Sequence, residues 1–321
     1  MSLRGFFRTI STRIVLGVLA VWLSESAGLR GQTLDSAVTP LPPLTLRGVP
    51  ARAHTQGIDW SGPHLFVTAR RDDVTPRRAL LLRTGPGRAD WDSWDLTRKA
   101  ASTGEQILDH PGGFQISRGI LWVPLSTSTR AGPSQIHAYR VASLRTNGFA
   151  RPEVTFPVDD HIGALAVLET RKLLLGASWD TQRVFVWNFQ GVLQRILTAA
   201  DLAPLELGFD ASAPSQAGLA VQDWKFLRGR LHAVGLRKGG DPSALEPKSL
   251  LMVFEDFLES TARKQAHPLR PVQELELGRE GFSIKGEFAY FLPEDLGASN
   301  RLFRAKIPGS LQPAPAADSK P

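Results

Sequence analysis

Three histidines stand in comparable settings along the chain: His54 in Ala-His-Thr-Gln-Gly, His110 in Asp-His-Pro-Gly-Gly and His161 in Asp-Asp-His-Ile-Gly. Imidazole titrates near neutrality and is a common metal ligand, so three in equivalent places suggest one shared site for a ligand or for zinc. The competing reading is a repeated brace, each histidine serving its own segment. Two further sets of polar residues keep register. Gln56, Gln222 and Glu280 share one position, where the other copies carry Gly112 and Gly163, and Asp59, Gln115 and Lys225 share a second. Amides and carboxylates that converge from several strands can hydrogen-bond a ligand or, through Glu280 with the histidines, hold a cation. The acidic pairs Asp72-Asp73 and Asp159-Asp160 fit turns, with calcium as the alternative, since that ion takes oxygen ligands.

Other chemistries lack their signatures. No Gly-x-Ser-x-Gly elbow, His-Glu-x-x-His pair, phosphate-cradling Gly-Lys-Ser/Thr loop or dinucleotide fingerprint occurs. With no cysteine, disulfides, thiolate nucleophiles and Cys-ligated metal centres are excluded. The formal charge of +7 is mild, and pairs such as Arg70-Arg71 and Arg77-Arg78 are scattered, so a nucleic-acid surface is not expected.

The elements that must position these groups are legible as a repeat. Gly57, Gly113, Ala164, Asp223 and Gly281 recur at spacings of 56, 51, 59 and 58 residues, the length of a four-stranded propeller blade with generous loops. The residue after each anchor is apolar (Ile58, Phe114, Leu165, Trp224, Phe282), and so is the one two further on (Trp60, Ile116, Val167, Phe226, Ile284). Between them lie Asp59, Gln115, Ala166, Lys225 and Ser283, which gives the period of two that marks a strand with unlike faces. Second strands are expected at Leu65-Phe66-Val67, Leu121-Trp122-Val123, Leu173-Leu174-Leu175, residues 231–234 and Ala289-Tyr290-Phe291. Third strands are expected at 80–82, 136–139, 184–187, 250–254 and 302–303, and fourth strands at 91–96, 154–158, 192–197 and 274–277. The fifth copy runs out of chain, while Leu44 to Val49 is left over ahead of the first. An all-β, five-bladed β-propeller of antiparallel blades closed by that N-terminal strand is therefore expected, with six blades as the alternative.

Residues 1–27 read as an export signal: Arg4, Arg8 and Arg13, an apolar run from Ile14 to Leu23, then small residues suited to cleavage after Ser26 or Ala27. The run is short for a permanent membrane span. Residues 28–43 then form a linker, 44–308 the propeller, and 309–321 a disordered Pro/Ala/Ser tail.

One copy resembles a WD-repeat blade. His161, Ser178, Asp180 and Trp187 match that family's residues in type and spacing, and the resemblance implies a hydrogen-bonded tetrad inside the blade with no catalytic role. More widely, a leader followed by His-x-x-Gly openings and the strand Leu121 to Pro124 is similar to a group of secreted bacterial propellers of unassigned activity, which implies fold and compartment. The function expected from the residues is a secreted or periplasmic, monomeric module that binds a small molecule, saccharide or protein segment at the mouth of its axial channel. The alternative is a metal-dependent hydrolase of lactonase or esterase type, with a cation at Glu280 and a histidine base.

Overall fold

The computed structural model describes residues 36–307, apart from 101–105, 146, 147, 149, 211, 213–215, 240–247 and 270–274. The expected export signal and the tail lie outside the described residues. Five four-stranded antiparallel blades form a ring, so the chain is a five-bladed β-propeller and not a six-bladed one.

Blade 1 comprises His54–Ser61, His64–Arg71, Arg78–Thr84 and Asp92–Asp95. The innermost strand of blade 2 is broken into His110–Pro111 and Gln115–Ser117, followed by Ile120–Ser126, Ser134–Arg140 and Val154–Val158. Blade 3 runs through Ile162–Leu168, Leu173–Ser178, Val184–Asn188 and Leu193–Leu197. Blade 4 runs through Gly218–Leu227, Arg230–Lys238, Ser249–Glu255 and Arg263–Leu269. Its outermost strand thus precedes the expected stretch 274–277. Blade 5 takes Gly281–Lys285, Phe288–Leu292 and Asn300–Lys306 from the end of the chain, and its outer strand, Ser36–Leu41, from the beginning.

That closing strand corrects the sequence reading in position. Ser36 pairs with Ala305 and Leu41 with Asn300, so the ring is closed inside the stretch expected to be a linker. The segment 44–49 instead turns back on itself, pairing Thr45–Leu46 with Val49–Pro50. Arg47 (φ 53°) and Gly48 (φ 78°) supply the left-handed turn between them.

Hydrophobic burial fixes the blades to one another. Ile58, Phe114, Leu165, Trp224 and Phe282, the residues after each anchor, are all fully buried. Each packs in a cluster shared with the preceding blade: Phe114 with Phe66 and Leu81, for example, and Phe282 with Val234 and Leu251. Five such clusters, one per blade boundary, make up the core.

The innermost strands meet so tightly that the axis is filled at the level of the anchors. A Cβ on Gly57 would lie 2.7 Å from Gly113 Cα, and one on Gly113 would lie 2.6 Å from Asp223 Oδ1, so side chains at either position have no room. Blades 2 and 3 are joined directly, Gly113 N donating to the Gly163 carbonyl and Leu165 N to the Gly113 carbonyl at 2.9 Å each; elsewhere the innermost strands turn backbone groups towards the axis that have to be satisfied because they are buried. Side chains do this. Asp223 accepts from the amides of Ile58, Trp224 and Phe282 at 3.2, 2.9 and 3.0 Å. Asp59 accepts from Ile116 N at 2.6 Å and from the Ser283 hydroxyl at 2.7 Å. Gln115 Oε1 accepts from Val167 N at 2.8 Å and Phe226 N at 2.9 Å, while its Nε2 donates to the Phe226 carbonyl at 2.8 Å. Three side chains thereby tie all five blades together.

Candidate functional site

Beside this plug three of the innermost strands carry an irregularity at one position. In blade 1 the register shifts between Thr55 and Gly57, in blade 3 between Ile162 and Ala164, and in blade 4 between Val221 and Asp223. The extra residues are Gln56, Gly163 and Gln222. A bulge leaves its residue out of the ladder and re-aims its side chain, and here Gln56 and Gln222 both line a cavity of about 140 Å3 at the end of the axis. Gly112, at the same position in blade 2, must be glycine for another reason: its Cβ would meet the Gly163 carbonyl oxygen at 2.3 Å.

His110 and His161 line the same cavity, their rings edge to face with centroids 5.0 Å apart. Trp179 stands beside them, 4.5 Å from the His161 ring. His110 Nε2 is 2.8 Å from Gln56 Oε1 and its Nδ1 is 3.3 Å from an Arg70 guanidinium nitrogen. Arginine can only donate and an amide oxygen can only accept, so His110 carries its proton on Nε2. Burial, with His161 and Arg70 nearby, pushes its pKa well below the ordinary histidine value. Burial likewise lowers His161 to about 4, while its Nδ1 bonds the Thr129 carbonyl at 3.0 Å. Both imidazoles are therefore neutral at pH 7.

Asp180 and Lys238 complete the cavity wall. Lys238 Nζ lies 2.5 Å from Asp180 Oδ1, and Arg130 pairs with the other carboxylate oxygen. To one side, His54 joins two carboxyl groups brought together by the meeting of blades 5 and 1. Its Nδ1 is 2.5 Å from Asp295 Oδ1 and its Nε2 is 3.5 Å from Glu280 Oε1. The bond to Asp295 raises the His54 pKa, whereas burial pushes Glu280 up to about 8, so Glu280 is protonated at neutral pH.

The expected site residues thus divide. Gln56, Gln222, His110 and His161 meet at the cavity, with Glu280 and His54 alongside. Asp59, Gln115 and Lys225 do not line a channel mouth. They are buried in the plug, Asp59 and Gln115 bonded to neighbouring strands and Lys225 Nζ 2.5 Å from Asp223 Oδ1. Among the described residues, no three His, Asp or Glu side chains are grouped to hold a metal ion. Three of the four carboxylates in the acidic pairs are engaged by arginine: Asp72 and Asp73 by Arg70 and Arg71 at 2.7 Å each, and Asp160 by Arg183 at 2.8 Å.

The WD-type tetrad does not form. His161 turns to Thr129, Asp180 to Lys238 and Arg130, and the Ser178 hydroxyl accepts from Arg183 N at 2.9 Å. Trp187 stacks on Phe185 with centroids 5.4 Å apart. The resemblance in spacing comes from the blade fold, while the polar groups are drawn to partners in adjacent loops. Trp179, Lys238 and Arg130 are the site residues that sequence reasoning passed over. Lys238 lies opposite Gly218 at the end of the second strand of blade 4, two residues beyond Leu236, which is the counterpart of Arg70 in blade 1 and Ser126 in blade 2, so no repeat position marked it.

The molecule is accordingly a five-bladed β-propeller with a neutral-imidazole and amide pocket at one end of a plugged axis. No protein-family model matches the chain, and no curated protein matches it in sequence. Solved β-propellers do match it in fold. One is a GH43 β-1,3-galactosidase solved with galactodeoxynojirimycin, 9% identical, covering 85% of this chain and 96% of its own, with a TM-score of 0.50. A second GH43 β-1,3-galactosidase is 8% identical over 84% of this chain and 60% of its own, with a TM-score of 0.51. The chain spans only 32% of a bifunctional GH43-CE protein of Bacteroides eggerthii, which is 11% identical over 78% of this chain with a TM-score of 0.48. At these identities the likeness is one of fold. No helix among the described residues is long and apolar enough to cross a membrane.

Proposed function

We propose that the protein is a saccharide-binding propeller that seats one sugar residue in the axial pocket, and that it works outside the cytoplasm. The observation that carries this reading is the composition of the pocket wall. Two bulged glutamines, two neutral histidines and a half-buried tryptophan surround the opening. A sugar ring needs directional neutral donors and acceptors for its hydroxyls and an apolar surface for its C–H face, and amides, neutral imidazoles and an indole supply both. The cavity, at about 140 Å3, is smaller than the several hundred Å3 typical of sites for larger ligands, which suits a single residue at the end of a chain. Galactosidases among the structural neighbours make a saccharide a reasonable ligand for this fold by analogy. The leader at residues 1–27 supports export.

Calorimetric titration and saturation-transfer NMR with a panel of neutral and acidic mono- and disaccharides test the reading. Binding should weaken by about tenfold in Gln56→Ala and in Trp179→Ala, the scale of one lost hydrogen bond or ring contact. Their melting temperatures should stay near that of the parent. A panel in which no saccharide binds would overturn it.

A further inference from the structure

The charges around the pocket are unequal. Arg70 is matched by Asp72 and Arg183 by Asp160. Asp180 is different, because one carboxylate faces two cations. Its side chain is only 3% exposed, and both oxygens are occupied, Oδ1 by Lys238 and Oδ2 by Arg130. The two cations are far more open, at 37% for Lys238 and 52% for Arg130. Among the described residues one positive charge therefore remains uncompensated here, with Lys238 lining the pocket and Arg130 beside it, 5.9 Å from the Trp179 ring, and both have donors to spare: an ammonium has three and a guanidinium five.

Among the described residues, the other titratable groups that line the pocket or stand beside it do not cancel it. His110 and His161 are neutral, and Glu280 is protonated through burial. Arg279, exposed and 3.8 Å from Glu280, adds a further cation to the same end of the axis. His54 and Asp295 form a pair of their own. Crowding is visible at Lys238 itself, where burial and the charge of Arg130 lower the ammonium pKa. An anionic ligand would relieve that repulsion, whereas a neutral one would leave it in place.

Resting on the saccharide reading above, we infer that the pocket selects an acidic sugar, a terminal uronic acid residue, whose carboxylate is held by Lys238 and Arg130 while Gln56 and Gln222 take its hydroxyls. Asp180 is the internal counter-ion that holds Lys238 at the pocket wall and Arg130 beside it, and the ligand carboxylate supplies the second negative charge.

The experiment compares glucuronic and galacturonic acid disaccharides with their neutral glucose and galactose counterparts, titrated into the full chain. The acidic sugars should bind more tightly by about tenfold or more, as for a charge-assisted hydrogen bond. That preference should shrink when salt is raised from about 50 mM to about 500 mM, and Lys238→Gln should reduce it to near unity. Lys238→Arg, which keeps the charge, should retain most of it. Equal affinity for acidic and neutral sugars, or a preference indifferent to Lys238, would overturn this inference and leave the saccharide reading standing. Absence of binding by either set would overturn both.

Discussion

Lys225 makes the sharpest test of how the axis is built. It is 1% exposed, sits 2.5 Å from Asp223 Oδ1, draws on Asp59 as well, and lies over the Phe114 ring at 5.7 Å. Lys225→Met keeps the length and the apolar stem but leaves two buried carboxyl groups with no cation. Removing one side of a buried pair costs about 3–5 kcal/mol, because the remaining charge is stranded in a poorly polarisable interior. That is a large share of the roughly 5–15 kcal/mol by which domains are stable. The cost should depend on pH in a defined direction. Burial already raises both carboxyls, Asp223 to about 7, and losing the ammonium raises them further. A carboxyl whose folded pKa lies above its unfolded value contributes stability that is present below the unfolded value and is lost as pH rises through the folded one, at about 1.4 kcal/mol per unit. Urea denaturation followed by tryptophan fluorescence should therefore show a modest loss at pH 5 and the full loss at pH 8. An equal loss at both, or one under about 1 kcal/mol at pH 8, would refute the account of the plug as a charge-balanced strut.

Two other perturbations probe the ring and the site. Removing the closing strand Ser36–Leu41 exposes the edge of Asn300–Lys306, so the shortened chain should lose its cooperative melt and scatter light on warming, and a melt like that of the parent would refute closure. Glu280→Gln should flatten the pH dependence of stability. In the parent, the raised Glu280 pKa means stability is lost between about pH 4.5 and pH 8, and the variant should be the more stable of the two above pH 8 while matching the parent at pH 4.

The blades were legible because their inner strands bury two faces of different kinds, and that requirement writes itself into the chain as a period of two. It fades where burial ends. The outer strand of blade 4, Arg263–Leu269, buries only its last residue, so no apolar alternation marks it. The closing strand Ser36–Leu41 likewise belongs to the exposed rim, with Val38 47% exposed and Pro40 at an edge where a missing donor does no harm. The Leu44–Val49 segment reads as the strand left over ahead of the first copy, but Leu44 is buried against blades 5 and 1, its amide bonded to the Gly297 carbonyl at 2.7 Å.

The site was legible in its members more than in its depth. Sequence spacing placed Gln56 with Gln222 and Asp59 with Gln115, and both groupings are real in the structure. What separates them is three residues of travel along a strand that runs into the axis. At residue 59 the strands are close enough for a carboxylate to reach the amide of the next blade, so a polar side chain there is consumed by the backbone. At residue 56 the bulge has taken the side chain out of the ladder and left it facing a cavity. No local pattern distinguishes the two, because the distance between strands is set by residues some fifty positions away. Gly112 and Gly113 set it here, since neither tolerates a Cβ against blade 3 or Asp223. Gly112, which stands where other blades carry glutamine, and the anchor Gly113 are thus part of the pocket's construction: by letting blade 2 approach its neighbours, they bring His110 within 2.8 Å of Gln56 and so complete a wall that no single blade could form.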